Sequence, residues 1–327
     1  MRVFIPFCLL FLFLNAFPTR IDASYYSYEQ MEEEVLNLQN NYGNKIQIGY
    51  FGKSEWGKKL PYIKVGKGSQ SVFLIGAHHG REWITSQFLM KLLKEYVSAY
   101  DEDTTINGYS TRIFDEISFI FIPMLNPDGV DIQQKGLQGL SLSQGLKLLS
   151  MNEFHLAFDR WKANGEGVDL NRQYPSGWKE LNQIPAWPSY KHFRGTKPVQ
   201  AAEVKALVDF TVQQKPLLSL SYHTSGQQVF WYYHTKKEYI ERDYLLAEKI
   251  ARLTGYELDL PNADAVGGGY TDWFITTFRK PAFTIEMCEL VKETNPPASC
   301  LRKEWAGNRE VPMMLLYELK KESIKRP

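Results

Sequence analysis

The stretch "SVFLIGAHHGREWITSQFLMKLLKEY", residues 71–96, holds the unit from which the fold is read. Val72 to Ala77 is a short unbroken apolar run, the pattern of a strand covered on both faces. From Ile84 to Tyr100 apolar residues recur at helical spacing. Between the two lie His78, His79 and Glu82. A buried strand, a polar connection and a helix in that order begin a parallel β-α-β unit. They place those polar residues at the carboxyl end of a strand, where ligands gather in open α/β sheets.

The pattern repeats along the chain. Ile117 to Leu125, Leu217 to Tyr222 and Ala282 to Met287 are further buried runs, and Val199 to Gln214, Lys237 to Leu253 and Lys303 to Lys321 are further helical patterns. Ahead of them, "KIQIGYFGKS" and "KKLPYIKVG" read as an antiparallel pair joined through Glu55, Trp56 and Gly57. Helices alternating with buried strands predict one α/β domain with a central mixed, mostly parallel sheet flanked by helices. Two stretches fit this plan poorly, Gln133 to Asn164 and Gln173 to Gly195. The first regains an apolar helical period after Leu140, and the second, with its prolines and aromatics, reads as an ordered surface loop. Long loops of this kind usually shape a site.

Composition limits the partners. The 327 residues carry a formal net charge of +1, which suggests neither nucleic acid nor an acidic membrane surface. The start, "MRVFIPFCLLFLFLNAFPTRIDAS", reads as an export signal cut after Ala23. Its apolar run, Val3 to Phe17, is short of the roughly 20 residues usual for a bilayer span. Residues 24–327 are then the catalytic domain of a secreted protein with no stable membrane insertion, expected to act as a monomer. Cys8 falls in the signal. Cys288 and Cys300 remain, either joined across a short loop outside the cell or free and buried.

The remaining polar residues choose the same sheet edge. His223 follows the strand "LLSLSY", Glu286 arrives near the end of "PAFTIEM", and Asn126 and Asp128 of "NPDG" follow the strand ending at Leu125. Two imidazoles and a carboxylate with an open fourth position form a catalytic zinc arrangement. Such a site needs a base beside the activated water, and Glu286 comes from a separate strand. Spacing does not choose between His78 and His79, since either reaches a metal together with Glu82. His155, His192 and His234 have no such company and read as ordinary surface or loop histidines.

The ordered set "HHGRE", "NPDG", "GVDLNR", "SYHTSG", "GGGYTDW" and "FTIE", spanning residues 76–289, resembles the zinc carboxypeptidase family. The resemblance selects His79 over His78. It implies that His79, Glu82 and His223 bind one Zn²⁺, that Glu286 is the general base, and that Asn171 and Arg172 grip the free carboxylate of the residue being released. Arginine suits that task because its planar fork meets a carboxylate with two hydrogen bonds. Where the family usually places an arginine that stabilises the oxyanion, this chain has Lys162, with Arg160 nearby as a competing candidate. The position of the family's substrate-closing tyrosine holds Asp264, and the specificity position holds Thr271.

These departures argue against digestion of long apolar or basic side chains. Asp264 repels a carboxylate and welcomes an ammonium, so Asp264 with Arg172 suits a residue such as diaminopimelate. "WKAN", "GVDLNR" and "GGGYTDWF" are similar to the bacterial branch of γ-D-glutamyl-L-diamino acid endopeptidases. The expected activity is therefore hydrolysis of the γ-D-glutamyl-meso-diaminopimelate bond of cell-wall stem peptides. The rivals are a secreted carboxypeptidase for ordinary peptides, a zinc deacylase on the same fold, and a wall-peptide binding module without catalysis.

Overall fold

The computed structural model describes residues 25–260 and 266–325. The expected export segment and Asp264 lie outside the described residues.

Ten strands and nine α-helices are formed among the described residues. In chain order they begin with α1 (Tyr28–Tyr42), β1 (Ile46–Lys53), β2 (Lys59–Val65), β3 (Gln70–Ile75), α2 (Ile84–Asp101), β4 (Thr105–Ile106), β5 (Tyr109–Ser110) and β6 (Ile117–Ile122). There follow α3 (Pro127–Lys135), α4 (Leu142–Met151), α5 (Ala202–Gln214), β7 (Leu218–Thr224), β8 (Gln228–Phe230), α6 (Lys237–Thr254) and β9 (Glu257–Leu258). The chain closes with α7 (Tyr270–Phe278), β10 (Ala282–Met287), α8 (Ser299–Asn308) and α9 (Val311–Lys325). Eight strands share one sheet in the order β1-β2-β6-β3-β7-β10-β8-β9, and β4 with β5 makes a separate hairpin. The central four, β6, β3, β7 and β10, run parallel. They are the four apolar runs picked out above, and the antiparallel pair β1 and β2 lies at one edge.

β3 and β6 are buried on both faces, so their alternate residues feed two cores, while β10 leaves Thr284 and Glu286 partly exposed. Val72 and Leu74 of β3 join Phe88, Leu92 and Phe119 on one side, while Phe73 and Ile75 join Val204, Leu207 and Phe274 on the other. Each such fully buried side chain contributes about 1.5–3 kcal/mol relative to exposure. Helices therefore cover the sheet front and back in a single α/β domain.

Several boundaries differ from the sequence reading for local reasons. The run from Ile117 stops pairing at Ile122, just before Pro123, which has no N–H to give a ladder. Val199 has φ of 55° and cannot begin a helix, so α5 starts at Ala202. The single helix expected over Lys303 to Lys321 is two, α8 and α9. Pro312 in the first turn of α9 cannot bond back to the preceding turn, and the chain restarts there. Helix α1, outside that reading, is marked by a capping box of Ser27 and Gln30. The stretch from Gln133 contains α4 after Leu140, as its period predicts, and residues 173–195 form no strand or α-helix.

The parallel core brings four carboxyl ends to one edge. After β3 the backbone turns at Ala77, φ 45°, a conformation that costs a non-glycine residue energy and is held by neighbours. Ala77 N–H donates to Thr85 Oγ1 at 2.8 Å, and Asn126 N–H donates to the Ala77 carbonyl at 3.0 Å. Three residues on, Gly80 passes so close to α3 that a Cβ there would lie 2.3 Å from the Gly129 carbonyl oxygen. The loop carrying the histidines is thus clamped against the "NPDG" turn.

Candidate metal centre and active site

His79, Glu82 and His223 converge from two strand ends. His79 Nδ1 lies 2.8 Å from Glu82 Oε1, His223 Nδ1 lies 2.9 Å from Glu82 Oε2, and the two Nδ1 atoms are 3.2 Å apart. Two imidazole nitrogens bound tetrahedrally to one zinc would stand about 3.3 Å apart, given zinc-nitrogen bonds near 2.05 Å. The donor set and its spacing therefore fit a single zinc ion, and these three residues form the metal-competent group among the described residues. All three are buried. Burial lowers the His223 pKa, favouring the neutral imidazole that a metal requires. Burial alone would raise the Glu82 carboxyl, but His79 and His223 hold it well below the usual carboxylate range.

His78 is not part of that group. It is fully buried, stacks on the His223 ring at 5.1 Å, and its Nε2 lies 3.4 Å from the Tyr174 hydroxyl. The geometry thus separates two histidines that spacing leaves equivalent.

Asp169 stands behind the ligands. Its Oδ1 lies 3.2 Å from His79 Nε2 and accepts from Asn171 N–H at 3.1 Å. Its Oδ2 accepts from His192 N–H at 3.2 Å and lies 3.5 Å from Lys162 Nζ. Burial would raise this carboxyl, yet Lys162 and His79 keep it well below its ordinary range. A carboxylate on the outer nitrogen of a liganding histidine fixes the tautomer and points Nδ1 at the metal. His192, set aside on sequence, lends its backbone to this arrangement.

Glu286 on β10 is opposite His223 on β7 in the parallel register. Its Oε2 is buried with no hydrogen-bond partner among the described residues. Burial and the nearby Glu82 carboxylate push its pKa up to about 8, against the pull of Lys162, Arg81 and Arg172. A cation held by Glu82 would remove that repulsion and draw the value back down.

Two cavities meet at this carboxylate. One, about 330 Å³, is lined by His79, Arg81, Glu82, Lys162, Glu286 and the segment Leu290 to Thr294. The other, about 350 Å³, is lined by Phe230, Tyr232, Asp259, Thr271, Asp272 and Thr284. Asn171, Arg172 and Glu286 border both. Asn171 Oδ1 accepts from Tyr270 N–H at 3.0 Å, and Arg172 Nη1 donates to the Asn171 carbonyl at 2.9 Å. Thr271 Oγ1 is 2.7 Å from Thr284 Oγ1.

Of the two candidate cations, Lys162 faces the first cavity and Arg160 does not border it. The Arg160 guanidinium lies over the Tyr190 ring at 3.9 Å and donates to the Asn152 carbonyl and to Glu153. A Cys288–Cys300 disulfide closes the segment that follows Glu286, resolving the alternatives left for those cysteines.

Over residues 31–311 the sequence matches the family model described as zinc carboxypeptidase. The chain belongs to the zinc carboxypeptidase family. It is 32% identical over 275 residues to γ-D-glutamyl-L-diamino acid endopeptidase 1 of Lysinibacillus sphaericus, covering 83% of this chain and 67% of that one. It is 23% identical over 283 residues to carboxypeptidase B of Rattus norvegicus, covering 80% and 63%. The chain thus spans about two thirds of these relatives' length. In fold it is similar to bovine thrombin-activatable fibrinolysis inhibitor in complex with tick carboxypeptidase inhibitor, with a TM-score of 0.73 at 19% identity, covering 91% of this chain and 98% of that one. As a member of the zinc carboxypeptidase family the protein is a zinc-dependent metallopeptidase, a hydrolase that uses one zinc ion.

Sequence reasoning passed over Arg81, Asp169, Asp259 and Asp272. Asp169 does carry a signal in the sequence, since a lone acid between Val168 and Leu170 in "GVDLNR" needs a buried partner. Asp259 had no such signal, since it follows a two-residue edge strand.

Proposed function

We propose that the protein hydrolyses the γ-D-glutamyl-meso-diaminopimelate bond of bacterial cell-wall stem peptides. The observation that carries this reading is the second cavity, whose lining combines Asn171 and Arg172 with the carboxylates of Asp259 and Asp272. A residue with a carboxylate near the cut bond and charged groups at its far end suits that lining. Similarity to a γ-D-glutamyl-L-diamino acid endopeptidase points the same way.

When bound, the zinc ion supplies a Lewis acid that polarises the scissile carbonyl and acidifies a water. Glu286, beside the ligands with its Oε2 buried, would accept a proton at its carboxylate from the attacking water and deliver it to the leaving amine nitrogen as the C–N bond breaks. Lys162 offers a point charge to the oxyanion that develops on the carbonyl oxygen, with Asp169 orienting both Lys162 and His79. Arg172, steadied on the Asn171 carbonyl, holds the carboxylate of the released residue, and Thr271 lines the cavity that receives its side chain. The protein acts as a monomer outside the membrane after loss of residues 1–23. No helix among the described residues is long and apolar enough to cross a membrane.

The test is incubation of the zinc-loaded protein with L-Ala-γ-D-Glu-meso-diaminopimelate and, separately, with a hippuryl-Phe peptide, products being followed by mass spectrometry. Release of diaminopimelate that disappears in Glu286→Gln is the expected result. Cleavage of hippuryl-Phe alone makes the protein a general metallocarboxypeptidase, and cleavage of neither favours a silent binding module.

A further inference from the structure

Besides Glu286, the second cavity is lined by two carboxylates that differ in commitment. Asp272 is enclosed, its Oδ2 accepting from Gly269 N–H at 3.1 Å as the cap of α7. Burial pushes it up to about 7, with Arg172 as its cationic neighbour. Asp259 is held through its backbone, whose N–H donates to the Val229 carbonyl at 3.0 Å and whose carbonyl accepts from Trp231 Nε1 at 2.8 Å. Among the described residues no lysine, arginine or histidine forms an ion pair with the Asp259 side chain, although it is half-buried at the cavity wall. Burial raises the pKa of this carboxyl, and the adjacent Leu260 N–H offsets part of that rise.

A half-buried carboxylate without a counter-ion among the described residues, lining a cavity that Arg172 and Asn171 also line, is an incomplete pair. A ligand that completes both ends has a carboxylate at one end and a cation at the other. The walls between, Phe230 and Tyr232, suit an aliphatic stem. Thr271, in the same lining, carries no charge, so an acid for that cation must come from elsewhere in the wall.

We propose that Asp259 is a specificity-determining residue that accepts the distal ammonium of a diamino acid in the released position. The inference rests on the reading above that Arg172 holds the carboxylate of that residue. Asp259 acts on substrate choice and takes no part in bond cleavage.

The test uses two substrate series in which only the released residue changes from lysine to norleucine, which keeps the stem and lacks the ammonium. One series has a hippuryl acyl group and the other L-Ala-γ-D-Glu. In the zinc-loaded wild-type protein the lysine member is expected to be favoured by about tenfold or more in kcat/KM, which is about 1.4 kcal/mol. Asp259→Asn should bring that ratio to about one by slowing the lysine member alone, with zinc content and norleucine turnover kept. Asp259→Ser is the second variant should the first lose norleucine turnover as well. A ratio unchanged by both substitutions, or a wild-type ratio near one, overturns the proposal. A lysine preference that Asp259 controls in the hippuryl series while the γ-D-glutamyl series stays uncut sustains Asp259 and sinks the proposed function. Cleavage of the γ-D-glutamyl series at a ratio blind to Asp259 does the reverse.

Discussion

Replacing Asp169 by asparagine should weaken zinc binding without unfolding the protein. The carboxylate meets donors on both oxygens: His79 Nε2 and Asn171 N–H at Oδ1, His192 N–H and Lys162 at Oδ2. An asparagine must turn its amide NH₂ toward one of these sets, so a donor faces a donor whichever way the group is placed. It also withdraws the negative charge that pairs Lys162. Loss of such an outer partner typically costs 10- to 100-fold in metal affinity, about 1.4–2.7 kcal/mol. Competition for zinc against a chromophoric chelator reads this directly, and a thermal melt of the zinc-free variant separates it from loss of fold. A zinc Kd within about twofold of wild type in a folded Asp169→Asn protein would refute the role given to this carboxylate.

Three further outcomes follow from the same geometry. Glu286→Gln should retain one zinc by metal analysis while turnover falls by roughly 10²- to 10⁴-fold, because Glu286 supplies proton transfer and no metal bond. Glu203, fully buried near Asp128 and accepting from Asn164 and Glu55, is pushed up to about 8 by burial and by Asp128. Its folded pKa lies above its unfolded one, so the folded state binds the extra proton and stability falls as pH rises from about 4.5 to about 8. Urea titrations across that window should show the decline in wild type and a flatter profile in Glu203→Gln, whereas parallel profiles would contradict it. Reduction of Cys288–Cys300, or its removal with paired serines, should cost roughly 2–3 kcal/mol by chemical denaturation and raise KM more than it lowers zinc content. That loop closes over 12 residues and includes the cavity-lining Leu290 to Thr294.

The parallel core and the ligand edge were legible because burial on both faces writes an unbroken apolar run, which a half-wet strand does not. His223 and Glu286 are marked for the same reason, one following such a run and one lying within it, while Glu82 lies in the polar connection after another. What stayed hidden depends on contacts between elements distant in sequence. The choice of His79 needed the family resemblance, since only tertiary placement shows His78 turned onto Tyr174 and the His223 ring. Arg160 and Lys162 differ in sequence only by their neighbours, yet Tyr190 and Glu153 take up one of them. Asp259 belongs to the cavity because β9 pairs in parallel with β8, a two-residue pairing that leaves no periodicity to read.

The pairing of Glu286 directly opposite His223 has a consequence for how the chain reaches its final form. Side chains on a strand alternate between faces, so a one-residue slip of β10 against β7 would turn the base away from the histidine. One face of β7 carries Ser219, Ser221 and His223 and one face of β10 carries Thr284 and Glu286, so such a slip would also bury these polar groups among apolar neighbours. An ion that needs His79, Glu82 and His223 together binds only when β3 and β7 are correctly aligned, and whatever binds the native state alone shifts the equilibrium toward it. Zinc thus favours the correct placement of β3 beside β7 while the β7–β10 register that places Glu286 rests on the sheet alone, and a population refolded with zinc should contain fewer molecules with β3 and β7 misaligned than one given zinc only afterwards.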